Sequence, residues 1–278
     1  MSVGTAQPTQ VPGARQRLPR VLQLLEGFVD HALEALSRTS APQTRIEFVR
    51  LRIFDRAFNI LKGIRLLVEH DHWELAPPLV RQLFELLLTL EELHRADDVD
   101  GTVEQYLRFA AMQEVRHKLA GLCYDVSTGR SIPLDTPTPE NVEDFAIYTF
   151  PEFVRRNKKG ELVWSTNWSG HTVRELSRRS ERSIRARQYE TIYSMLSIQV
   201  HGAPTALAGD FADLTGSTDL TDQALIKQDY QLVQLVSLAA TFLFDLWLAY
   251  IPPVGTMPPT IPDELGELIT AMLEVGDP

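Results

Sequence analysis

Four polar side chains recur at intervals of four residues in one segment of the chain, at Tyr189, Tyr193, Ser197 and His201. Because a step of four residues advances only about 40° around an α-helix, the four would form one slowly winding ridge. Such a ridge could line a pocket, with His201 as an acid or base near neutral pH. The alternative is structural, since a histidine just before Gly202 also suits the end of a helix.

Arg81 and Glu85, also four residues apart, interrupt a segment that is otherwise rich in leucine. On a solvated helix surface such a pair is worth only about 0.3–0.5 kcal/mol. If the pair is partly buried, the planar guanidinium offers a fork for a phosphate or a carboxylate. We expect Arg81, Tyr193 and Ser197 to bind the ligand, and Glu85 and His201 to be catalytic if the protein is an enzyme. The sequence leaves open whether it is one, and no cofactor is expected.

The segments that carry these residues resemble a bacterial family, the domain of unknown function 5677. The resemblance covers about residues 45–205 and rests on residues 79–85, residues 193–201 and the Trp168-Ser169-Gly170 segment between them. It implies that Arg81, Glu85, Tyr193, Ser197 and His201 are the characteristic polar residues of the family. It implies no settled activity.

Six arginines crowd into residues 174–187 of a chain whose net charge is −10. If this segment is one helix, four of them share a face that could bind a nucleic-acid backbone. Those four are Arg174, Arg178, Arg182 and Arg185. The alternative is a solvated face in which the arginines pair with neighbouring glutamates.

A third functional hypothesis starts from Arg65, which is followed by His70 and His72. This matches the Arg-x(4–6)-His spacing of HEPN-type ribonucleases. Chance placement of the arginines and histidines in this chain gives about as many matches, so the spacing alone is a weak signal.

No metal site is expected. Glu91-x-x-His94 and Glu114-x-x-His117 both resemble the ligand pairs of helical carboxylate sites. If their helices form a hairpin, however, the two pairs lie about 22 Å apart, which is too far for one metal centre.

The helical period dominates the chain and predicts an all-α fold, a single helical-bundle-like domain of roughly eight helices over residues 15–251. The clearest apolar stripe covers residues 44–70. Further helices are predicted over residues 73–96, from Thr102 with a capping box, from Thr138 towards Asn157, and through the arginine-rich segment. Two subdomains that divide near residues 125–138 are the alternative.

The two ends of the chain are expected to lie outside this domain. Residues 1–14 are polar, lack the apolar stretch of a signal peptide and predict a disordered lead-in, whereas residues 252–278 predict a tail with one short helix. A single cysteine favours a reducing, cytoplasmic location. Residues 232–251 are very apolar, but the polar residues within them, Asp245 above all, favour a buried core helix over a membrane span.

Two other classes of function stay open beside the ribonuclease hypothesis. The first is a helical effector or binding protein that engages a phosphorylated ligand or nucleic acid through the Arg/Glu/Tyr/Ser/His cluster. The second is a scaffold or partner-binding protein in which the cluster only fixes the register of the helices. No membrane partner is expected, a homo-oligomer is compatible with the sequence, and other partners are unknown.

Overall fold

The computed structural model describes residues 14–37, 41–130, 133, 135–193, 196 and 218–250. Within these residues lie eight α-helices, which confirms the expected fold class, a mostly helical single domain. The helices are α1 (Ala14–Ser37), α2 (Arg45–Glu69), α3 (Pro77–Arg95), α4 (Val99–Thr128), α5 (Pro139–Thr149), α6 (Val173–Arg179), α7 (Ile184–Gln188) and α8 (Thr218–Tyr250). A 3₁₀ turn (Trp73–Leu75), a π-helical turn (Tyr189–Tyr193) and the strands β1 (Val154–Arg156) and β2 (Leu162–Trp164) complete the described elements.

Within this domain the residues cluster into two compact units. Unit 1 comprises Met1–Glu91 and Arg182–Pro278, and unit 2 comprises Glu92–Glu181. The divisions therefore fall at residues 91/92 and 181/182, and not near residues 125–138. The predicted lead-in, residues 1–14, lies outside the described residues except for Ala14, and the predicted C-terminal tail, residues 252–278, lies wholly outside them.

The core of unit 1 joins α2, α3 and α8. Phe54 on α2 packs against Trp247 on α8 with ring centroids 5.1 Å apart, and Phe84 on α3 packs against Phe242 at the same separation. Burying aromatic and aliphatic side chains on this scale is the main favourable term in folding. The predicted stripe of residues 44–70 thus becomes α2, which begins with a capping box between Thr44 and Glu47.

Helix α8 meets the expectation of a core helix. Among the described residues, Gln231–Ala249 is the stretch long and apolar enough to cross a membrane, and more than half of it is buried within the protein. Two of its polar side chains bond within the helix, since the Ser237 hydroxyl donates to the Val233 carbonyl at 2.8 Å and the Thr241 hydroxyl donates to the Ser237 carbonyl at 2.8 Å.

Unit 2 contains α4, α5, α6 and the β1–β2 hairpin. The N-cap of helix α4 lies four residues earlier than predicted, since Asp98 caps the helix and accepts a hydrogen bond from the Gly101 amide at 2.9 Å. The capping box predicted at Thr102 is therefore wrong. Thr102 instead lies in the first turn, where its hydroxyl donates to the Asp98 carbonyl at 2.7 Å.

The helix predicted to run towards Asn157 ends at Thr149, and the chain turns back as a hairpin. Pro151 has no amide proton to continue the helix. Phe150, Phe153 and Val154 are then buried against α4 and α5, so that burial of apolar side chains favours the turn. The strands pair antiparallel, with Val154 opposite Trp164 and Arg156 opposite Leu162. This small sheet was not predicted.

The arginine-rich segment is two short helices and not one. Helix α6 ends at Arg179, because Ser180 has the extended backbone angles φ −58° and ψ 140°, and α7 begins only at Ile184. The prediction that Arg174, Arg178, Arg182 and Arg185 share one helical face is therefore wrong. The first two lie on α6 and the last lies on α7.

The start of α4 provides a test of the fold. Asp98→Ala removes the side chain that caps the helix and should lower the free energy of unfolding by about 1 kcal/mol. Thr102→Ala removes a hydroxyl that caps nothing and should change it by less than about 0.5 kcal/mol. Urea unfolding of both variants measures the difference, and a larger loss for Thr102→Ala would place the helix start where the sequence alone suggested.

Candidate functional site

Arg81 and Glu85 lie one turn apart on α3 and contact each other directly. Arg81 Nε donates to Glu85 Oε1 at 2.9 Å, and the Tyr193 hydroxyl donates to the same oxygen at 2.8 Å. The Arg81 side chain is 27% exposed and that of Glu85 is 38% exposed. The structure thus brings three of the five predicted cluster residues together at a partly buried position in unit 1.

The aromatic ring of Tyr193 also covers one face of the Arg81 guanidinium. The Arg81 Cζ lies 4.6 Å from the centroid of the Tyr193 ring, a cation–π contact. The ring in turn packs against Phe84 and stacks on Tyr189, with centroids 4.9 Å apart and planes 21° apart. Arg81 is therefore fixed along one edge by a carboxylate and across one face by a ring that aromatic neighbours immobilise.

The protonation states suit this arrangement. Burial, and then the hydrogen bond to Glu85, raise the pKa of the Tyr193 phenol well above its usual range, so it remains a neutral donor at physiological pH. Burial lowers the pKa of Arg81, but the hydrogen bond to Glu85 and the other polar contacts outweigh it and raise the pKa overall. Arg81 remains a cation.

The terminal nitrogens of the Arg81 guanidinium donate to no carboxylate among the described residues, although the guanidinium also interacts with the Tyr193 hydroxyl. In the described part of the chain, Nε makes the only hydrogen bond that this guanidinium donates to a carboxylate. The two terminal nitrogens can therefore meet an oxyanion in the bidentate geometry that arginine favours.

The ridge predicted from Tyr189 to His201 is described only in its first part. Residues 189–193 form a π-helical turn and not an α-helical one, a feature that is frequent at functional sites. Ser197 and His201 lie outside the described residues, so their convergence with Arg81 and Glu85 stays a prediction.

A second polar network in unit 1 was missed by sequence reasoning. The Arg185 side chain is completely buried and its Nε donates to Glu91 Oε1 at 2.9 Å, while one terminal nitrogen donates to Asp245 Oδ2 at 2.7 Å and to Gln188 Oε1 at 2.9 Å. Arg182 pairs with the other oxygen of Asp245 at 2.8 Å. We call these residues the Arg185 network. They tie α3, α7 and α8 together.

The Arg185 network changes the interpretation of the arginine-rich segment. Arg185 has no exposed surface with which to contact a phosphate. Arg182 forms an ion pair with Asp245. The nucleic-acid role suggested for Arg185 is thus incompatible with its burial. Arg174 and Arg178 are exposed on α6, and their role in nucleic-acid binding stays a prediction.

Arg65, His70 and His72 make separate contacts in the structure. Arg65 pairs with Glu26 and Glu69 and lines a cavity of about 460 Å³ under α1. Neither histidine lines that cavity. His70 instead caps the end of α2, with its Nδ1 2.9 Å from the Leu66 carbonyl oxygen, and His72 is an exposed turn residue.

The described residues hold no group of three or more histidine, cysteine, aspartate or glutamate side chains placed to bind a metal ion. Glu91, one of the residues considered for such a site, is engaged by Arg185. Trp168, from the third family-like segment, is buried in unit 2, where its carbonyl accepts from the Gln105 side chain at 3.0 Å and its ring meets that of Tyr106.

Comparison with known families identifies the chain. Residues 47–218 match the Family of unknown function (DUF5677), so the chain belongs to this family. The matched region contains Arg81, Glu85, Tyr193 and the whole of the Arg185 network except Asp245. Comparison with curated proteins and with solved structures finds no significant match.

The Arg185 network is expected to carry much of the stability of unit 1. Asp245→Ala leaves a buried guanidinium with one carboxylate fewer, and it should lower the free energy of unfolding by about 3 kcal/mol. Glu69→Ala, which removes a carboxylate from the exposed Arg65 pair, should cost less than about 1 kcal/mol. Denaturant unfolding compares the two, and similar small losses would show that Asp245 does not compensate a buried charge.

The raised pKa of Tyr193 predicts a pH dependence of stability. Above pH 10 the phenol ionises in the unfolded chain but stays neutral in the folded one, so its contribution to stability is present below pH 10 and is lost as the pH rises. The stability difference between the wild type and Tyr193→Phe should therefore shift by about 1 kcal/mol between pH 9 and pH 11. A difference that is independent of pH would contradict the buried hydrogen bond to Glu85.

Proposed function

We propose that this protein is a helical effector or binding protein that recognises a phosphorylated ligand through Arg81. The observation that supports this most is the way Arg81 is held. Arg81 Nε donates a hydrogen bond to Glu85 and Tyr193 covers one face, while the two terminal nitrogens donate to no carboxylate of the described residues. An arginine fixed before the ligand arrives loses less side-chain entropy on binding.

The position of the cluster favours a terminal phosphoryl group over a polymer backbone. The Arg81 side chain is only 27% exposed and the Tyr193 ring covers one face, so an incoming phosphate would meet the guanidinium along an edge. A phosphate oxygen pair fits such an edge bidentately, and partial burial strengthens the charge–charge attraction. Glu85 directs its charge at Nε and at the Tyr193 hydroxyl, and its role is to position both.

Several parts of the proposal rest on the sequence. Ser197 would add a hydroxyl to the site and His201 an acid or base, and a catalytic form of the site would require His201. A bacterial origin and a cytoplasmic location complete the proposal. The competing proposal is a scaffold in which Arg81, Glu85 and Tyr193 only hold α3 against the π-helical turn.

Ligand binding by purified variants separates the two proposals. Nucleoside mono-, di- and triphosphates and sugar phosphates, each beside its unphosphorylated parent, would be titrated calorimetrically. For any compound that binds, Arg81→Gln should weaken affinity at least tenfold, and Arg81→Lys should restore little because lysine lacks the planar fork. The control is Arg95→Gln, which removes another partly buried arginine of α3, paired there with Glu92.

The result that contradicts the proposal is equally specific. If Arg81→Gln binds every compound as the wild type does, yet unfolds at a lower denaturant concentration, the cluster is structural. Equal weakening by Arg81→Gln and Arg95→Gln would show that the effect is one of net charge and not of the Arg81 site.

A further inference from the structure

The β1–β2 hairpin of unit 2 carries the densest run of positive charge in the chain, four cations within residues 155–159. Arg155, Lys158 and Lys159 are all exposed, and in the described part of the chain their side chains form no ion pair or hydrogen bond. Arg156 differs, because it binds Glu143 at 2.9 Å and lies 3.6 Å from Asp144, both on α5. Three of the four cations are therefore available to bind an anionic partner. The fourth, Arg156, links the hairpin to α5.

The pairing of the strands explains why the free cations face outward. Val154, Arg156, Leu162 and Trp164 occupy one face of the hairpin, and the apolar members of this face pack against α4 and α5. Since side chains alternate along a strand, Arg155 lies on the opposite face. The Gly160 amide donates to the Asn157 carbonyl at 3.0 Å, so Lys158 and Lys159 are the two central residues of this turn.

The turn itself is held in one shape. Gly160 has φ +79°, a left-handed conformation that glycine adopts without strain, and the Asn157 amide donates to the Glu161 carbonyl at 2.9 Å. The Asn157 side-chain oxygen accepts from the amides of Lys159 and Glu161 at 2.9 and 3.0 Å. The two lysines thus project from a fixed backbone.

An exposed aromatic side chain lies on α5, the helix that Arg156 of the hairpin contacts. Tyr148 on α5 is 88% exposed, which is the highest value among the large apolar side chains in the described residues. It lies one helical turn after Asp144, on the same side of α5, and Asp144 faces Arg156 of the hairpin. A ring so exposed adds little to folding, but it offers a surface on which an unpaired base can stack.

We propose that the β1–β2 hairpin, together with Tyr148, binds single-stranded nucleic acid. Arg155, Lys158 and Lys159 contact successive phosphates, and Tyr148 stacks on a base. A duplex fits less well, because its base faces are hidden from the ring. The arginine-rich segment is a weaker candidate for a phosphate site than the hairpin. Its residues Arg179, Arg182 and Arg185 all form ion pairs with acidic side chains of the protein.

Fluorescence anisotropy with the full chain tests the proposal, with labelled 20-nucleotide oligo(dT) and oligo(U) and a duplex of equal length as probes. Three phosphate contacts predict that log affinity falls against log salt with a slope of about −2 for single strands. Affinity should then drop about 20-fold between 50 and 200 mM salt. The two single-stranded probes distinguish DNA from RNA as the better ligand.

Two variants, each with a matched control, test whether the hairpin cations and Tyr148 contact the oligonucleotide. The triple variant R155Q/K158Q/K159Q should bring the salt slope close to zero, whereas R116Q/K118Q/R130Q removes the same charge from unit 2 and should leave the slope unchanged. Tyr148→Ser should weaken single-strand binding about tenfold. Tyr124→Ser, which removes another exposed tyrosine, should have no effect.

Several outcomes would overturn the inference. Absence of saturable binding at 50 mM salt would do so directly. Equal losses in the two triple variants would show a diffuse response to net charge, and duplex binding as tight as single-strand binding, insensitive to Tyr148→Ser, would exclude stacking. Arg81→Gln should leave oligonucleotide binding unchanged, so failure of this inference and failure of the proposed phosphate site are separate results.

Discussion

The buried charge of Arg185 is the constraint on which the rest of unit 1 depends. A guanidinium with no exposed surface requires acceptors within the protein, and Glu91, Asp245 and Gln188 supply them. These acceptors come from α3, α8 and α7, so the three helices must meet at one point and in one register. Apolar packing alone tolerates small shifts of register, whereas a buried cation between two carboxylates does not.

This constraint also positions the Arg81 cluster. The same two chain segments meet twice, at Glu91 with Arg185 and at Glu85 with Tyr193, so they run antiparallel. Once the Arg185 network fixes α3 against α7, Tyr193 is placed beside Glu85 and over the guanidinium of Arg81. The network supplies rigidity and the cluster supplies a partly exposed cation, a division of roles that is common between supporting and ligand-binding residues.

The structural features that depend on local residue spacing could be predicted from the sequence. The three-and-four period of residues 44–70 identified α2, and the four-residue step from Arg81 to Glu85 identified an ion pair that the structure forms. The family-like segments pointed to Tyr193 as its companion, and Tyr193 does contact both residues. Local pattern was sufficient there because each signal lies within one or two helical turns.

Sequence reasoning failed where distant residues decide the structure. The contacts of Arg185 with Glu91 and Asp245 span 94 and 60 residues, and no spacing rule reveals them. The same arginine therefore looked like part of a basic surface. The hairpin was missed because its strands have three residues each, too few for an alternating pattern to stand out, and because burial of Phe150 and Phe153 is what favours the turn.

A crystal structure of the full chain soaked with the phosphorylated compound that binds it most tightly would show directly whether Arg81 holds the phosphoryl group. We expect a phosphoryl group with two oxygens within about 3.2 Å of the Arg81 terminal nitrogens, while Nε still donates to Glu85 and the Tyr193 ring still covers the guanidinium face. A phosphoryl group bound elsewhere, with the Arg81 edge contacted only by protein side chains, would contradict it and leave the cluster a purely structural element.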